Sequence, residues 1–276
     1  TDQARQRDVK FISASEPDYV LSPQECRHST LYMEKRAVQG EPTVFSETFE
    51  YTSCGEWHNL RAEDVLPYDT TTALYKEYTA EREKHIVFSP RLRELAAKLT
   101  AGETNPYLKA KRIFRWINDH FPWASAREYS TIENIPEYVL DNRHGDCGQV
   151  SLLFITLCRI SGIPAHFQSG FMMHPRAWNL HDWAEVYFEG VGWVPVDQSF
   201  GIPAFARNAD EEYFFLGGID SWRMIVNTDY GMPLVPEKKY PRSETVDFQR
   251  GEVEWEGGNL YFPQWSYHMD IDYLNY

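Results

Sequence analysis

The chain has 276 residues, of which 42% are hydrophobic and 15% aromatic, so it can bury a substantial core and wholesale disorder is excluded. Its acidic residues (41) outnumber its basic ones (27), and the net charge of −14, without any dense block of Lys or Arg, argues against nucleic acid and anionic membranes as partners. No apolar run approaches the roughly 20 residues that span a bilayer, so we expect no transmembrane segment.

The N-terminal part of the chain has the pattern of short strands. Apolar and polar residues alternate over residues 28–38 and 43–52, and Gln39-Gly40-Glu41-Pro42 lies between them. This pattern predicts a hairpin or two neighbouring strands. We therefore interpret residues 1–70 as an N-terminal β-rich extension.

Two helices are predicted next, each with clear end signals. Ser89-Pro90 supplies an N-cap and a first-turn proline, apolar residues follow at helical spacing, and Gly102 ends the helix. Asn105-Pro106 begins a second amphipathic helix, which Pro122 stops.

The centre of the chain predicts a buried helix followed by three strands. Asp146 is an N-cap for a helix that starts at Cys147, is apolar on several faces and is closed by Gly162. Residues 165–171, 181–189 and 192–199 read as strands, and the turn at residues 189–192 makes the last two antiparallel neighbours. After residue 200 the chain is aromatic and turn-rich, so we expect residues 203–276 to wrap the core.

Four cysteines do not make a disulfide scaffold in a chain of this length. The sequence leaves open whether Cys26 and Cys54 form a disulfide bond. Cys147 and Cys158 lie about 16 Å apart along the predicted helix, which is beyond disulfide reach. Cys158 is most simply a buried filler.

Cys147 is placed where a thiol becomes a nucleophile. At a helix N-terminus, unpaired backbone N–H groups and the helix dipole stabilise a thiolate, so we expect a lowered thiol pKa. The same N–H groups are able to hold an oxyanion.

Two partners for this cysteine occur downstream. His181 begins one strand of the predicted hairpin and Asp197 lies in the other. Pairing around the turn places residue 181 opposite residue 200 or so, which calls for a bulge at Pro195 or a shifted register to bring Asp197 close. In this arrangement Cys147 attacks, His181 forms the ion pair and returns a proton, and Asp197 orients the imidazole.

These residues resemble a known family. HGDCGQVSLLFITLCRISGIPAHFQSGF, followed by LHDWAEVYFEGVGWVPVDQSFG, is similar to the transglutaminase-like superfamily, which has a papain-like α+β core and a Cys-His-Asp triad and includes transglutaminases, cysteine proteases and peptide N-glycanases. The resemblance covers residues 80–202 and assigns the triad to Cys147, His181 and Asp197. It implies a core at residues 71–202, with the cysteine helix on an antiparallel sheet.

The resemblance implies thiol-dependent chemistry at an amide but not one reaction. An acyl-enzyme formed on a peptide or side-chain amide is hydrolysed by water or transferred to an amine, and we favour hydrolysis because the sequence displays no amine site. We expect a protein or peptide substrate, no cofactor, and Trp123 and Trp178 as oxyanion or cleft residues. The alternatives are a non-catalytic binding or structural module, and an enzyme whose segment 200–276 covers its own cleft.

Two expectations concern metal and compartment. A zinc site is one interpretation of four histidines, His144, His166, His174 and His181. No Cys-x-x-Cys pair or His-Glu-x-x-His helix accompanies them, so we expect no metal. The sequence begins with Thr1 and not with Met, which favours a periplasmic or extracellular location over a cytoplasmic one. The oligomeric state is left open.

Overall fold

The computed structural model of the protein describes residues 5–125 and 127–274. The first four residues of the expected extension, Ala126 and the last two residues lie outside that part. Within it the helices are α1 (Ala73–Tyr78), α2 (Pro90–Leu99), α3 (Pro106–His120), α4 (Ile135–Asn142), α5 (Cys147–Ile160) and α6 (Ala209–Glu212). The strands are β1 (Gln6–Ala14), β2 (Tyr19–Leu21), β3 (Leu31–Met33), β4 (Glu47–Ser53), β5 (Glu56–Trp57), β6 (Ala165–His174), β7 (Ala177–Phe188), β8 (Gly192–Val196), β9 (Gly218–Ile219), β10 (Arg223–Thr228), β11 (Val253–Trp255) and β12 (Gly258–Leu260).

A four-stranded antiparallel sheet forms the centre of the fold, in the order β10-β6-β7-β8. Helix α5 packs against β6 and β7, and helices α2, α3 and α4 pack around α5. The main apolar core lies between these helices and the sheet. The expected α+β architecture, with the cysteine helix packed on an antiparallel sheet, is confirmed.

Helix α5 forms as its sequence predicts. The Asp146 side chain accepts a hydrogen bond from the Gln149 N–H at 3.1 Å, and the Gln149 side-chain oxygen accepts one from the Asp146 N–H at 3.3 Å. This capping box satisfies two backbone donors at the start of the helix. Every residue from Gly148 to Arg159 is buried, as expected for a helix that is apolar on several faces. The predicted ends of α2 and α3 are also confirmed, with Ser89 and Asn105 as their N-caps.

The strands of the central sheet are partly longer than predicted. Strand β6 continues to His174 and strand β7 already begins at Ala177. The two strands pair across a two-residue turn in which Arg176 has φ +69°. This hairpin was missed because Pro175-Arg176 lacks the Gly or Asn that signals a tight turn. The antiparallel neighbours β7 and β8 are confirmed, but β8 ends at Val196, just before Asp197.

The predicted pairing of the N-terminal strands is wrong. Residues 28–38 and 43–52 contain β3 and β4, but β3 pairs with β2 and β4 pairs with β1. Alternation of apolar and polar residues indicates a strand without indicating its partner, and β1 and β2 were not foreseen. The turn at Gly40 is present, with φ +84°.

The two terminal segments take part in the core. Strand β10 is an edge of the central sheet, β9 pairs with β5, and a bridge joins His28 to Asn227. Residues 203–276 therefore contribute a strand to the sheet besides wrapping it. Residues on either side of positions 70 and 202 are in contact with each other. The division of the chain into residues 1–70, 71–202 and 203–276 therefore stays a prediction. In the described part of the chain, no helix has the length and apolarity needed to cross a membrane.

Candidate active site

The cysteine that the sequence singles out lies at the first position of α5. Cys147 is half-buried, whereas Cys158 is fully buried in the same helix. All four cysteines are free, so Cys26 and Cys54, for which pairing was left open, are not joined.

His181 and Asp197 are in direct contact. His181 Nε2 lies 2.7 Å from Asp197 Oδ2, and the two side chains are 6% and 0% exposed. Because a carboxylate only accepts hydrogen bonds, Nε2 carries the proton of the neutral imidazole and Nδ1 holds its free lone pair. The ring is therefore oriented as a base whose acceptor atom is Nδ1.

The register of the hairpin explains this contact. Ala184 pairs with Val196 and Val186 with Val194. Asp197 is the residue after β8, and this register places it opposite Trp183. Because alternate residues of a strand share a face, Asp197 lies on the same face as His181 and diagonal to it. Of the two ways predicted to bring Asp197 close, the shifted register is the one found: the simple count around the turn is off by one residue and would have put Asp197 on the other face of the sheet. No bulge is needed.

Asp197 has a second charged partner that sequence reasoning missed. Arg223 Nη1 lies 2.9 Å from the same carboxylate oxygen that His181 contacts, and Arg223 is 3% exposed. Burial acts to raise the pKa of Asp197, but His181 and Arg223 outweigh it and the net shift is downward. Nothing in the sequence signals Arg223, because it reaches the site from β10 at the far edge of the sheet.

The thiol of Cys147 has an unexpected partner, the residue after His181. Cys147 Sγ lies 3.6 Å from Asp182 Oδ2, and within the described part of the chain it makes no hydrogen bond to His181. The expected lowering of the thiol pKa is not found, because burial and the Asp182 and Asp146 carboxylates raise the pKa of Cys147 well above its usual value. Strand alternation contained the signal for Asp182: its position alternates with His181 and shares the face of Ala184, which packs on α5.

The first turn of α5 has few free donors. Gly148 N–H donates to Tyr129 Oη at 3.2 Å, and Gln149 N–H donates to the Asp146 side chain. Tyr129 Oη also lies 2.6 Å from Asp146 Oδ1 and 3.3 Å from Asp182 Oδ2. The Cys147 N–H makes no hydrogen bond to any described residue, so it is the donor at this helix end available to an oxyanion.

Trp123 lies beside the loop that precedes Cys147, whereas Trp178 belongs to a different apolar cluster. Trp123 forms a parallel bridge with Gly145, is 61% exposed and lines a cavity of about 200 Å³ with Gln198 and Ser199. Trp178 packs in a second apolar cluster with Phe171 and Met224, which is distinct from the main core that contains α5.

Two further residues on the same strand and face as His181, Trp183 and Glu185, have structural partners. Trp183 Nε1 donates to Gln168 Oε1 at 2.6 Å, and Glu185 pairs with Arg5 at 2.7 Å. Burial would raise the pKa of Glu185, yet Arg5 and His166 lower it to about 2. These contacts fix β7 against β6 and the N-terminal segment, and so hold His181 in place.

The histidines that raised a zinc site are apart from one another. His166 contacts Glu185, His174 contacts Asp220 and His144 bonds the Asn142 carbonyl. In residues 5–125 and 127–274, no group of three or more His, Cys, Asp or Glu side chains has an arrangement that could hold a metal ion.

The central part of the chain is similar to known proteins. Residues 93–198 match the sequence model of the transglutaminase-like superfamily. The chain is 26% identical over 140 residues to the uncharacterized protein YebA of Bacillus subtilis, and 23% identical over 125 residues to a protein-glutamine gamma-glutamyltransferase of Pseudomonas aeruginosa. These matches cover 44% and 41% of this chain but only 19% of each relative.

A solved structure shares the fold over most of the chain. A proposed cysteine protease from Cytophaga hutchinsonii superposes with a TM-score of 0.56 at 19% identity, covering 82% of this chain and 72% of that one. The likeness therefore extends beyond the matched core, into segments that the sequence motifs did not reach.

Proposed function

We propose that the protein catalyses thiol-dependent acyl transfer or hydrolysis at a peptide or side-chain amide, with Cys147, His181 and Asp197 as a triad. The observation that carries this proposal is the 2.7 Å contact between His181 Nε2 and Asp197 Oδ2, which leaves Nδ1 as the free basic atom of the imidazole. His181 also acts to lower the pKa of Asp146, the N-cap of the cysteine helix, although burial raises that pKa overall. The Pseudomonas relative is named as a glutamyltransferase and the Cytophaga protein as a proposed protease, and both reactions begin with attack on an amide carbonyl.

In the proposed reaction the proton of the Cys147 thiol passes to His181 Nδ1, and the sulfur attacks the carbonyl carbon. The Cys147 N–H and, as a second donor, the Trp123 indole N–H stabilise the oxyanion. The imidazolium gives its proton to the leaving amine, and a thioester remains. Water or a primary amine then takes the acyl group, and we favour water because nothing in the described site marks a place for an amine.

The triad is tested by single variants. Cys147→Ala abolishes turnover, and His181→Gln or Asp197→Asn lowers kcat/KM by roughly 10³-fold, because each removes one part of a unit that works together. Turnover is measured with a library of fluorogenic peptide amides, with and without a dansylated primary amine to separate hydrolysis from transfer.

A matched control uses the second cysteine of α5. Cys158→Ala, deep in the helix, should leave kcat/KM unchanged at a temperature where the variant is folded. Unaltered turnover in Cys147→Ala, or equal losses in the two cysteine variants, would remove the proposed function.

A non-catalytic binding module is the second candidate, and one observation favours it. The Cys147 thiol contacts Asp182 and not His181, so the resting sulfur is not in an ion pair. A module of this kind would give no labelling of Cys147 by acyl-type activity probes and no turnover of any amide in the library.

A further inference from the structure

Asp182 is a buried carboxyl with three contacts at the candidate site. It is 2% exposed, and its Oδ2 lies 3.6 Å from Cys147 Sγ and 3.3 Å from Tyr129 Oη. Its Oδ1 accepts a hydrogen bond from Gln249 Nε2 at 2.6 Å. The triad chemistry described above makes no use of this side chain.

Gln249 reaches Asp182 from the C-terminal part of the chain. It is 8% exposed, and its Nε2 also donates to the His181 carbonyl at 3.0 Å. Val246, three residues earlier, is fully buried in the main core and anchors the segment. Gln249 therefore fixes which oxygen of Asp182 faces the sulfur.

We propose that Asp182 is a positioning residue of this site: its carboxylate accepts the hydrogen bond of the Cys147 thiol in the resting protein, and Gln249 fixes it there. The thiol keeps its proton in this arrangement, and becomes a nucleophile when the carboxylate turns away or is neutralised. This inference rests on the proposed function, because it concerns how readily the proposed nucleophile ionises.

The charge balance around the sulfur supports this assignment. Several titratable or charged groups face the Cys147–Asp182 pair. Asp146 and Tyr129 lie at the start of α5, and Glu244 and Asp247, with Arg250 beside them, come from the C-terminal segment. His181 on β7 and Asp197 just after β8 complete the set. Carboxyls dominate this set, and burial and Asp146 raise the pKa of Asp182 itself, while its hydrogen bonds with Cys147 and Tyr129 act to lower it. A thiol and a carboxyl in contact share one proton, and the weaker acid, the thiol, keeps it. Ionising both in a buried, acidic surrounding is disfavoured by like-charge repulsion.

The test is the pH profile of Cys147 alkylation by iodoacetamide, resolved by mass spectrometry at each cysteine of the full chain. Asp182→Asn keeps the shape and the bond from Gln249 but removes the charge. We expect its midpoint to move to lower pH by at least one unit, which raises the rate at pH 7 about 10-fold.

A second variant and two controls keep the result interpretable. Gln249→Ala leaves Asp182 without its donor, so the carboxyl either turns away or takes up a proton, and we expect a smaller rise in rate. Gln264→Ala alters an exposed glutamine of the same C-terminal part and should change nothing. Buried Cys158 must stay unlabelled, which shows that a gain at Cys147 is not unfolding.

The outcomes separate this inference from the proposed function. An unchanged midpoint in Asp182→Asn, with Cys158 protected, overturns the role of Asp182, whatever the triad does. If the gain in Asp182→Asn disappears in His181→Gln/Asp182→Asn, both ideas stand, because the imidazole then takes the thiol proton. If the gain survives in that double variant, Asp182 has the assigned role, but His181 is not the base that the proposed function requires.

Discussion

Gly148 sets how closely the start of α5 approaches the site. A Cβ atom at this position would lie 2.5 Å from Tyr129 Oη and 2.6 Å from Asp182 Oδ2, distances that real Cβ contacts do not reach. Only glycine therefore permits the contacts of Tyr129 and Asp182 with the first turn of the helix. The sequence contained this glycine, but not the reason for it.

Gly148→Ala is predicted to destabilise the protein, although alanine is the better helix former. The usual gain of about 1 kcal/mol for replacing a helical glycine is outweighed by overpacking, which costs about 1–3 kcal/mol. Urea unfolding should give a lower midpoint for this variant. Ser151→Ala in the same helix removes a buried hydroxyl that lacks a partner among the described residues, so its midpoint should not fall. Equal midpoints for Gly148→Ala and the parent chain would contradict this account.

At the scale of elements, residues 244–250 form an acidic strap over the site. Glu244 is 3% exposed, and burial together with Asp247 raises the pKa of Glu244 from 4.5 to about 9. The pKa of Asp247 is raised as well, by burial and by Asp182. The strap thus brings carboxyls into a region that already contains Asp146 and Asp182.

Docking of the strap is predicted to weaken as pH rises. Because the folded pKa of Glu244 is raised, its contribution to stability is fully present below its unfolded value of 4.5 and is lost as pH rises to about 9. Hydrogen exchange of residues 244–250, corrected for intrinsic rates, should show protection falling between pH 5 and pH 9. Glu244→Gln should flatten this dependence, whereas Glu256→Gln, at an exposed turn, should not. A parent chain with pH-independent protection would contradict the prediction.

At the scale of the whole molecule, the N-terminal segment is tied to the central sheet by buried charge. Arg5 is 6% exposed and pairs with Glu185 at 2.7 Å and with Glu56 at 2.8 Å. Arg5 and Glu185, which are 180 positions apart in sequence, thus meet at β7, the strand that also carries His181. Together with the pairing of β5 and β9, this contact makes the two ends of the chain parts of one folded unit.

Arg5→Met is predicted to lower the free energy of unfolding by about 3–5 kcal/mol, because it leaves the Glu185 carboxylate buried without its cation. Guanidinium unfolding, followed by tryptophan fluorescence, measures this change. Lys10→Met removes the basic partner of an exposed pair with Glu50 and should leave the midpoint unchanged. Similar midpoints for the two variants would mean that Arg5 does not tie the N-terminal segment to the central sheet.

The sequence by itself determined the features that depend on local signals. The N-cap of α5, its burial, the ends of α2 and α3 and the turn between β7 and β8 all follow from neighbouring residues, and three motifs in order indicated the transglutaminase-like core. The contact of His181 with Asp197 was also within reach, because the two lie on adjacent strands of one hairpin.

Only the tertiary structure decided what surrounds the sulfur. A shift of one residue in strand register placed Asp197 on the face of His181, and long-range pairing brought Arg223 and Gln249 to the site. The state of the Cys147 thiol depends on its burial and on the Asp182 and Asp146 carboxylates more than on the helix dipole, because a buried charge responds most strongly to the charged groups closest to it. Such contacts join residues as far as 68 positions apart, and no periodicity or capping signal encodes them.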